Sequence, residues 1–335
     1  MEPFESLTPE AQVERIQLLA ENALQPFGLS TDSTVVMINH SENTTYRIDD
    51  VDSGKSYALR VHRPDYHTKQ AIESELAWMG ALRVEADVPT PPPVPGRDGQ
   101  LIQTIAARGI PQPRHCVLFD WMEGTEPDEE NLHEPFVWLG EVTAKLHKHA
   151  KDWRRPNGFQ RQTWDADFMF GEDPIWGPWQ EAPGLTQENI RLLQQLETTL
   201  RRRLEAFGQS PERFGLVHAD LRLANLLIHH GETRVIDFDD CGFSWYLYDL
   251  GTALSFIEER EDVSELIDRW LEGYRKVLPV SAEDEAETKT FMMVRRLLLT
   301  AWIASHAETD LAKDMGVDYT QGTCRLAERY LTQSG

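Results

Sequence analysis

The chain has 335 residues and a net charge of −23, from 33 basic and 56 acidic side chains. With 40% hydrophobic residues it can bury a core, and at about 150 residues per domain its length predicts two lobes. The negative charge argues against general nucleic-acid binding and against binding to an anionic membrane, because both need a basic face.

Cysteine content and hydropathy indicate the compartment. Three scattered cysteines form no disulfide framework and no CxxC metal clamp, so we expect a reducing, cytoplasmic location. The first residues are acidic and lack the apolar stretch of a signal peptide. No apolar run approaches the roughly 20 residues of a membrane span, and the best candidate, Phe291–Ser305, is interrupted by Arg295 and Arg296.

The first 121 residues predict a mostly antiparallel sheet with one or two helices. A helix over residues 8–27 has Thr8 as its cap and Pro9 at its first position. The proline-rich stretch 88–95 predicts an extended connector. The other predicted elements are strands at 34–39, 44–49, 56–62, 100–106 and 115–121, and a helix at 68–83.

After Gly124 the pattern becomes mainly helical. Helices are predicted at 136–149 and 186–207, and the chain from Leu247 onward is predominantly helical. Two apolar β-type runs, 223–228 and 234–238, predict a hairpin. The acidic runs 258–262 and 283–287 are interpreted as solvated faces. We therefore predict an α+β fold with an N-terminal lobe at 1–121 and a C-terminal lobe at 122–335.

Three polar residues have a spacing that is typical of a catalytic site. Asp220 is followed five residues later by Asn225, and Asp237 comes twelve residues after that, at the end of the next apolar run. Phosphoryl transfer needs a carboxylate that orients the attacking hydroxyl and oxygen ligands for Mg²⁺. A hairpin would bring all three groups together, so this spacing predicts a phosphoryl-transfer site.

The segment around these residues resembles the aminoglycoside phosphotransferase and choline kinase family, whose pattern is His-Gly-Asp-x-x-x-x-Asn followed by a hydrophobic residue and Asp. Within it the chain is most similar to type II homoserine kinases and stress-response Ser/Thr kinases, through the stretches Tyr57–Val61, Ile72–Trp78 and Trp164–Gly177. The resemblance implies a bilobal protein-kinase-like fold, with a small antiparallel β-rich N-lobe and a larger, mostly helical C-lobe. It also implies ATP and Mg²⁺ as cofactors.

For the catalytic segment, the resemblance implies that Asp220 orients, or deprotonates, the acceptor hydroxyl. Asn225 and Asp237 would hold Mg²⁺, and His218 would brace the loop. Arg222 stands where relatives often have His, and would reach the γ-phosphate or pair with an acid. Ala219 replaces the family glycine.

For nucleotide binding, Arg60 stands where relatives usually carry a strand lysine, with Glu75 as its expected helix partner and Glu73 as the alternative. The turn 40–45, with Asn43 and Thr44, would cover the phosphates, although it has no glycine. The hinge 117–122, with Phe119 and Trp121, would contact adenine. The simpler interpretations are a surface ion pair for Arg60 and Glu75 and an ordinary turn for Asn43 and Thr44.

The expected activity is ATP-dependent transfer to a hydroxyl of a small amine-bearing or amino-alcohol acceptor. Alternatives are a protein Ser/Thr kinase, a nucleotide-binding sensor without turnover, and a metal-dependent phosphohydrolase that uses His218, Asp220 and Asp237. The sequence leaves the acceptor and the oligomeric state open. Trp164, Trp176 and Trp179 fit a substrate pocket or a packed core equally well.

Overall fold

The computed structural model describes residues 4–40, 43–128, 131–307 and 309–333. The chain divides into two compact units. Unit 1 comprises Met1–Ala81, Thr90–Glu123 and Arg155–Gln160, and unit 2 comprises Leu82–Pro89, Gly124–Arg154 and Arg161–Gly335. The lobe boundary between residues 121 and 122 stays a prediction.

Unit 1 is built on a six-stranded antiparallel sheet in the order β1-β2-β3-β6-β4, with β5 also paired to β6. Its strands are β1 (Thr34–His40), β2 (Thr44–Asp49), β3 (Ser56–Val61), β4 (Pro93–Val94), β5 (Ile102–Ile105) and β6 (Arg114–Asp120).

Helix α1 (Pro9–Phe27) begins as its sequence predicts, because the Thr8 hydroxyl accepts a hydrogen bond from the Ala11 N–H at 3.3 Å. It ends at Gly28, whose φ of +79° is readily adopted only by glycine. Apolar side chains of α1 and of the sheet form one buried core, which includes Leu19, Ala23, Leu24, Tyr46, Ile48 and Leu59. Helix α2 (Lys69–Glu85) follows β3 along the chain.

Unit 2 is mainly helical, with two small antiparallel sheets, β7 with β10 and β8 with β9. Its strands are β7 (Phe214–Val217), β8 (Leu226–His229), β9 (Glu232–Val235) and β10 (Gly242–Trp245). Its helices are α3 (His133–Asp152), α4 (Ala166–Phe170), α5 (Gln187–Phe207), α6 (Tyr248–Ala253), α7 (Val263–Arg275), α8 (Ala282–Ala286), α9 (Thr288–Ser305) and α10 (Asp310–Gln333), the last broken at Gly316.

The predicted α+β class is confirmed, with local differences. Pro93–Val94 forms a two-residue strand inside the predicted connector, at a sheet edge where proline is tolerated. Leu223–Asn225 is a 3₁₀ turn rather than the start of a strand. The expectation of a solvated acidic face is wrong at Glu258, which is 1% exposed and pairs with Arg296 at 2.8 Å.

Among the helices of the described residues, none combines the length and apolar character needed to span a membrane.

Candidate phosphotransfer site

The loop after β7 carries the predicted catalytic residues in a strained backbone. Ala219 has a φ of +68°, a left-handed conformation that costs a non-glycine residue about 1–2 kcal/mol. The buried carboxylate of Asp249, in the first turn of α6, holds the loop there. Its oxygens accept the N–H of Ala219 at 2.7 Å and the N–H of His218 at 3.1 Å. Asp249 is therefore a brace for the loop.

The Asp220 carboxylate is fixed through both oxygens. Oδ1 accepts a hydrogen bond from Nη2 of Arg295 at 2.5 Å. Oδ2 accepts from the amide Nδ2 of Asn225 at 3.1 Å and lies 3.5 Å from Nε of Arg222. The Asp220 side chain is 18% exposed, so a carboxylate of defined orientation remains open to a small acceptor.

Arg295 is a site residue that the sequence interpretation missed. It lies on α9 with 3% of its side chain exposed, and Nε and Nη1 donate to the hydroxyls of Ser255 (3.1 Å) and Tyr248 (3.2 Å). The sequence analysis took it as a break in an apolar run. The available signal was the charge itself, because an arginine inside an apolar helix is buried only when it has a partner.

Tyr248 is a neutral partner in this cluster. Burial raises the pKa of its hydroxyl to about 12, against the opposing effect of Arg295. The phenol thus stays protonated at neutral pH and accepts the hydrogen bond of Arg295. Its ring stacks at 6.2 Å on that of Trp164.

Asn225 and Asp237 are the two residues that were predicted to hold Mg²⁺. Asn225 is 5% exposed, and its Nδ2 donates to the backbone and side-chain oxygens of Asp220, which leaves the amide oxygen as an acceptor. Asp237 is exposed and has a φ of +58° just after β9. The Ile236 N–H donates to the Asn225 carbonyl at 3.0 Å, so the two segments are tied next to each other.

His218 and Arg222 have different surroundings. His218 is completely buried, and its Nε2 donates to the Ile236 carbonyl at 3.1 Å while Nδ1 accepts the Asp220 N–H at 3.3 Å. This arrangement supports the bracing role. Arg222 is 36% exposed beside Asp220, with its guanidinium 5.9 Å from the Phe256 ring centre.

In unit 1, Arg60 and Glu75 form a buried ion pair. Nη2 of Arg60 lies 2.6 Å from Oε1 of Glu75, and the side chains are 7% and 0% exposed. Glu73 is exposed on the same helix. The simpler interpretation as a surface pair is therefore wrong. The guanidinium also lies 5.4 Å from the ring centre of Phe119.

The remaining predicted nucleotide residues make bonds within unit 1. Thr44 is buried and its hydroxyl lies 2.8 Å from Nδ1 of His40. Oδ1 of Asn43 accepts the Arg63 N–H at 3.0 Å. The ring of Trp121 stacks under Arg47 at 4.8 Å. Residues 41 and 42 of the predicted phosphate turn lie outside the described residues.

Three tryptophans of the irregular stretch are buried. Trp164, Trp176 and Trp179 are 0%, 6% and 3% exposed. The Trp176 ring centre lies 5.7 Å from that of Trp164 and 5.5 Å from the guanidinium of Arg295. This packing favours the interpretation of the three tryptophans as part of the core. The Arg295 guanidinium packs against the same cluster through Trp176.

Comparison with known proteins decides the family. The model of the phosphotransferase enzyme family (APH) matches residues 35–287, three quarters of the chain. The chain belongs to this family. It is a phosphotransferase, and the resemblance to homoserine kinases and stress response kinases is confirmed.

Three kinases are among the individual relatives. The solved structure of a microcompartment-associated aminopropanol kinase is 44% identical, with a TM-score of 0.87, and the match covers 94% of this chain and 98% of that one. Amicoumacin kinase of Bacillus subtilis (strain 168) is 25% identical over 71% of this chain and 67% of its own length. Homoserine kinase of Rhodospirillum rubrum is 30% identical over 61% of this chain and 60% of its own.

Proposed function

We propose that this phosphotransferase moves the γ-phosphoryl group of ATP to the hydroxyl of a small amino alcohol. The observation that carries the proposal is the Asp220 carboxylate, which is fixed by Arg295 and Asn225 and is still partly exposed. A small-molecule kinase is supported by the relatives, and an amino alcohol by the 44% identical aminopropanol kinase.

Kinases of this family use ATP with a divalent metal ion. The side-chain oxygens of Asn225 and Asp237 fit such a metal ion bound to ATP. An amide oxygen from Asn225 and a carboxylate from Asp237 are hard ligands of the kind that Mg²⁺ combines with phosphate oxygens. When bound, ATP would supply the phosphoryl group and Mg²⁺ would neutralise part of the negative charge on the phosphates. Arg60, fixed by Glu75, supplies a cation for the phosphates.

The task of Asp220 is to align the acceptor. Its Oδ2 accepts a hydrogen bond from the substrate hydroxyl, which points the oxygen lone pair at phosphorus. The oxygen–phosphorus bond forms as the bond to the leaving ADP oxygen breaks, and the hydroxyl proton passes to the carboxylate. Because loose phosphoryl-transfer transition states need little base strength, orientation is the larger contribution.

Two other interpretations use the same site. A protein Ser/Thr kinase would bring a larger acceptor to Asp220, and a nucleotide sensor would bind ATP without turnover.

The predicted cytoplasmic location also belongs to this proposal, and its support is that Cys116, Cys241 and Cys324 are all free thiols.

The test is ADP release from Mg-ATP with a panel of acceptors: aminopropanol, ethanolamine, homoserine, choline, an aminoglycoside and a general Ser/Thr protein. We expect an amino alcohol to stimulate release, and Asp220→Asn to lower kcat by about 10²–10⁴-fold while AMP-PNP affinity is kept. The matched control is Asp268→Asn, an exposed aspartate on α7, which should behave as wild type.

Each other outcome identifies a different function. Stimulation by the protein alone would replace the small-molecule acceptor with a protein. Binding of AMP-PNP without turnover on any acceptor would favour a sensor. ADP release that needs no acceptor and disappears in Asp220→Asn would favour a hydrolase.

A further inference from the structure

A cavity of about 390 Å³ lies in unit 1, between the loop that follows β3 and the hairpin turn that precedes β6. Neither Arg60 nor Glu75 lines it, so it is separate from the predicted phosphate-binding pair. The titratable side chains that line it are His62, Arg63, Asp65, Tyr66, His67, Arg114 and His115.

Arg114 is the unusual member of this set. It is 8% exposed at the start of β6, and its Nη1 is buried without a hydrogen-bond partner. Among the described residues, no carboxylate oxygen forms an ion pair with its guanidinium. Asp65, which also lines the cavity, acts on this charge electrostatically but forms no ion pair with it, so the buried guanidinium is only partly compensated.

The other buried arginines show that the fold normally satisfies such charges. Arg60 pairs with Glu75, Arg295 with Asp220 and Arg296 with Glu258. Arg161 donates to the backbone carbonyls of Asp239 and Cys241. A buried charge without a paired counterion destabilises a protein, and Arg114, unlike the other four, has neither an ion pair nor a backbone acceptor among the described residues.

The charge of the cavity lining indicates the sign of that partner. Arg63 and Arg114 are cationic, and Asp65 is the one carboxylate among the lining residues. Burial lowers the pKa of His115, with the charge of Lys69 acting in the same direction, so this imidazole is neutral at pH 7 and offers hydrogen bonds. The lining is thus net positive in a chain whose net charge is −23.

We propose that this cavity binds a small phosphate-bearing anion, with Arg114 as its buried charge partner and the exposed Arg63 at the entrance. Guanidinium groups form paired, charge-assisted hydrogen bonds with phosphate oxygens. The volume is large enough for a phosphate monoester as well as for inorganic phosphate, so both sources are tested.

The experiment is calorimetric titration of the full-length protein with inorganic phosphate and, separately, with phosphoethanolamine. Saturating AMP-PNP and Mg²⁺ are present so that anions do not report on the catalytic centre. We expect one bound anion per chain, with affinity reduced at least tenfold in Arg114→Met. Arg97→Met, an exposed arginine elsewhere in unit 1, is the matched control and should bind as wild type.

Two further measurements keep the result decisive. Phosphate should raise the Tm of the wild type and leave that of Arg114→Met unchanged, because only the wild type has the buried charge to neutralise. If Arg114→Met does not fold, Arg63→Ala, at an exposed position, should still weaken binding several-fold. The proposal is overturned if the wild type binds neither anion at millimolar concentration, or if both variants bind as tightly as the wild type.

Discussion

At the scale of single residues, Arg295 and Asp220 are 75 positions apart and 2.5 Å from each other. Arg295 is itself held by Ser255 and Tyr248, so its guanidinium is a fixed donor. The carboxylate is therefore oriented before any acceptor arrives, which reduces the entropic cost of alignment. Arg295 is a positioning residue, since it acts through the carboxylate of Asp220.

Replacement of Arg295 should lower turnover more than binding. We expect Arg295→Met to reduce kcat by about 10²-fold, since one of the two hydrogen-bonded oxygens of Asp220 loses its partner, and to change the KM for ATP little. Arg295→Lys keeps the charge but loses the fork of donors, so it should recover part of the activity. Steady-state kinetics with AMP-PNP affinity measures both effects.

The matched control for Arg295 is Arg269→Met, on the exposed face of α7. It should leave both constants unchanged. A wild-type kcat in a folded Arg295→Met protein would show that Asn225 alone orients Asp220, and would remove the positioning role.

Local spacing predicts part of this site and not the rest. Asp220, Asn225 and Asp237 lie within 18 residues, so a hairpin was enough to bring them together. Arg295 is on a distant helix, and no local pattern connects it with Asp220. Asp249 lies further along the chain than Asp237, and its two backbone partners depend on the left-handed turn at Ala219, which the sequence favours only weakly because the residue is not glycine.

At the scale of elements, the catalytic loop is supported by three helices through one buried network. Asp249 on α6 accepts a hydrogen bond from Nε2 of His147 on α3 at 2.9 Å, and Nδ1 of His147 lies 2.9 Å from the hydroxyl of Tyr274 on α7. Burial lowers the pKa of His147, against the opposing effect of Asp249. The neutral imidazole donates to Asp249 and accepts from Tyr274.

This network predicts a pH-dependent stability. The unfolded imidazole takes up a proton below its ordinary pKa of about 6.5, whereas the folded one resists protonation. The contribution of His147 is thus complete above pH 6.5 and is lost as the pH falls, by up to about 1.4 kcal/mol per pH unit. Urea unfolding at pH 7.5, 6.5 and 5.5 should show His147→Gln less stable at pH 7.5 but with a shallower decline. Parallel declines would contradict this assignment.

Elements were predicted best where a long periodic pattern or a cap marked them. The capped helices α1 and α5 begin within a residue of their predicted starts, and Thr186 forms a capping box with Asn189. The four-residue strands β7 and β10 were not predicted. Each is too short for a periodic signal, and each exists because it pairs with the other across 24 intervening residues.

At the scale of the whole molecule, the segment that matches the family model, 35–287, ends before the last two helices of the unit that carries the catalytic loop. Helix α9 begins at Thr288, and nearly all of its side chains are buried. It supplies Arg295 to Asp220 and Arg296 to Glu258. Arg295 thus connects α9 to the site, and Nε of Arg296 also donates to the hydroxyl of Thr323 on α10 at 2.8 Å.

A chain that ends at Glu287 should therefore not reach the native state, although it keeps Asp220, Asn225 and Asp237. Removal of α9 exposes the apolar surfaces of α6 and α5 and leaves Glu258 without its partner, each a large loss against a typical total stability of about 5–15 kcal/mol. We expect no cooperative thermal transition, weak near-ultraviolet circular dichroism and no AMP-PNP binding.

The full-length Arg295→Met protein separates the loss of folding from the loss of the Arg295 contact, since it should fold and bind AMP-PNP while turnover falls. A truncated chain that unfolds cooperatively and turns over Mg-ATP would show that the matched segment folds without α9 and that Asp220 needs no partner from it.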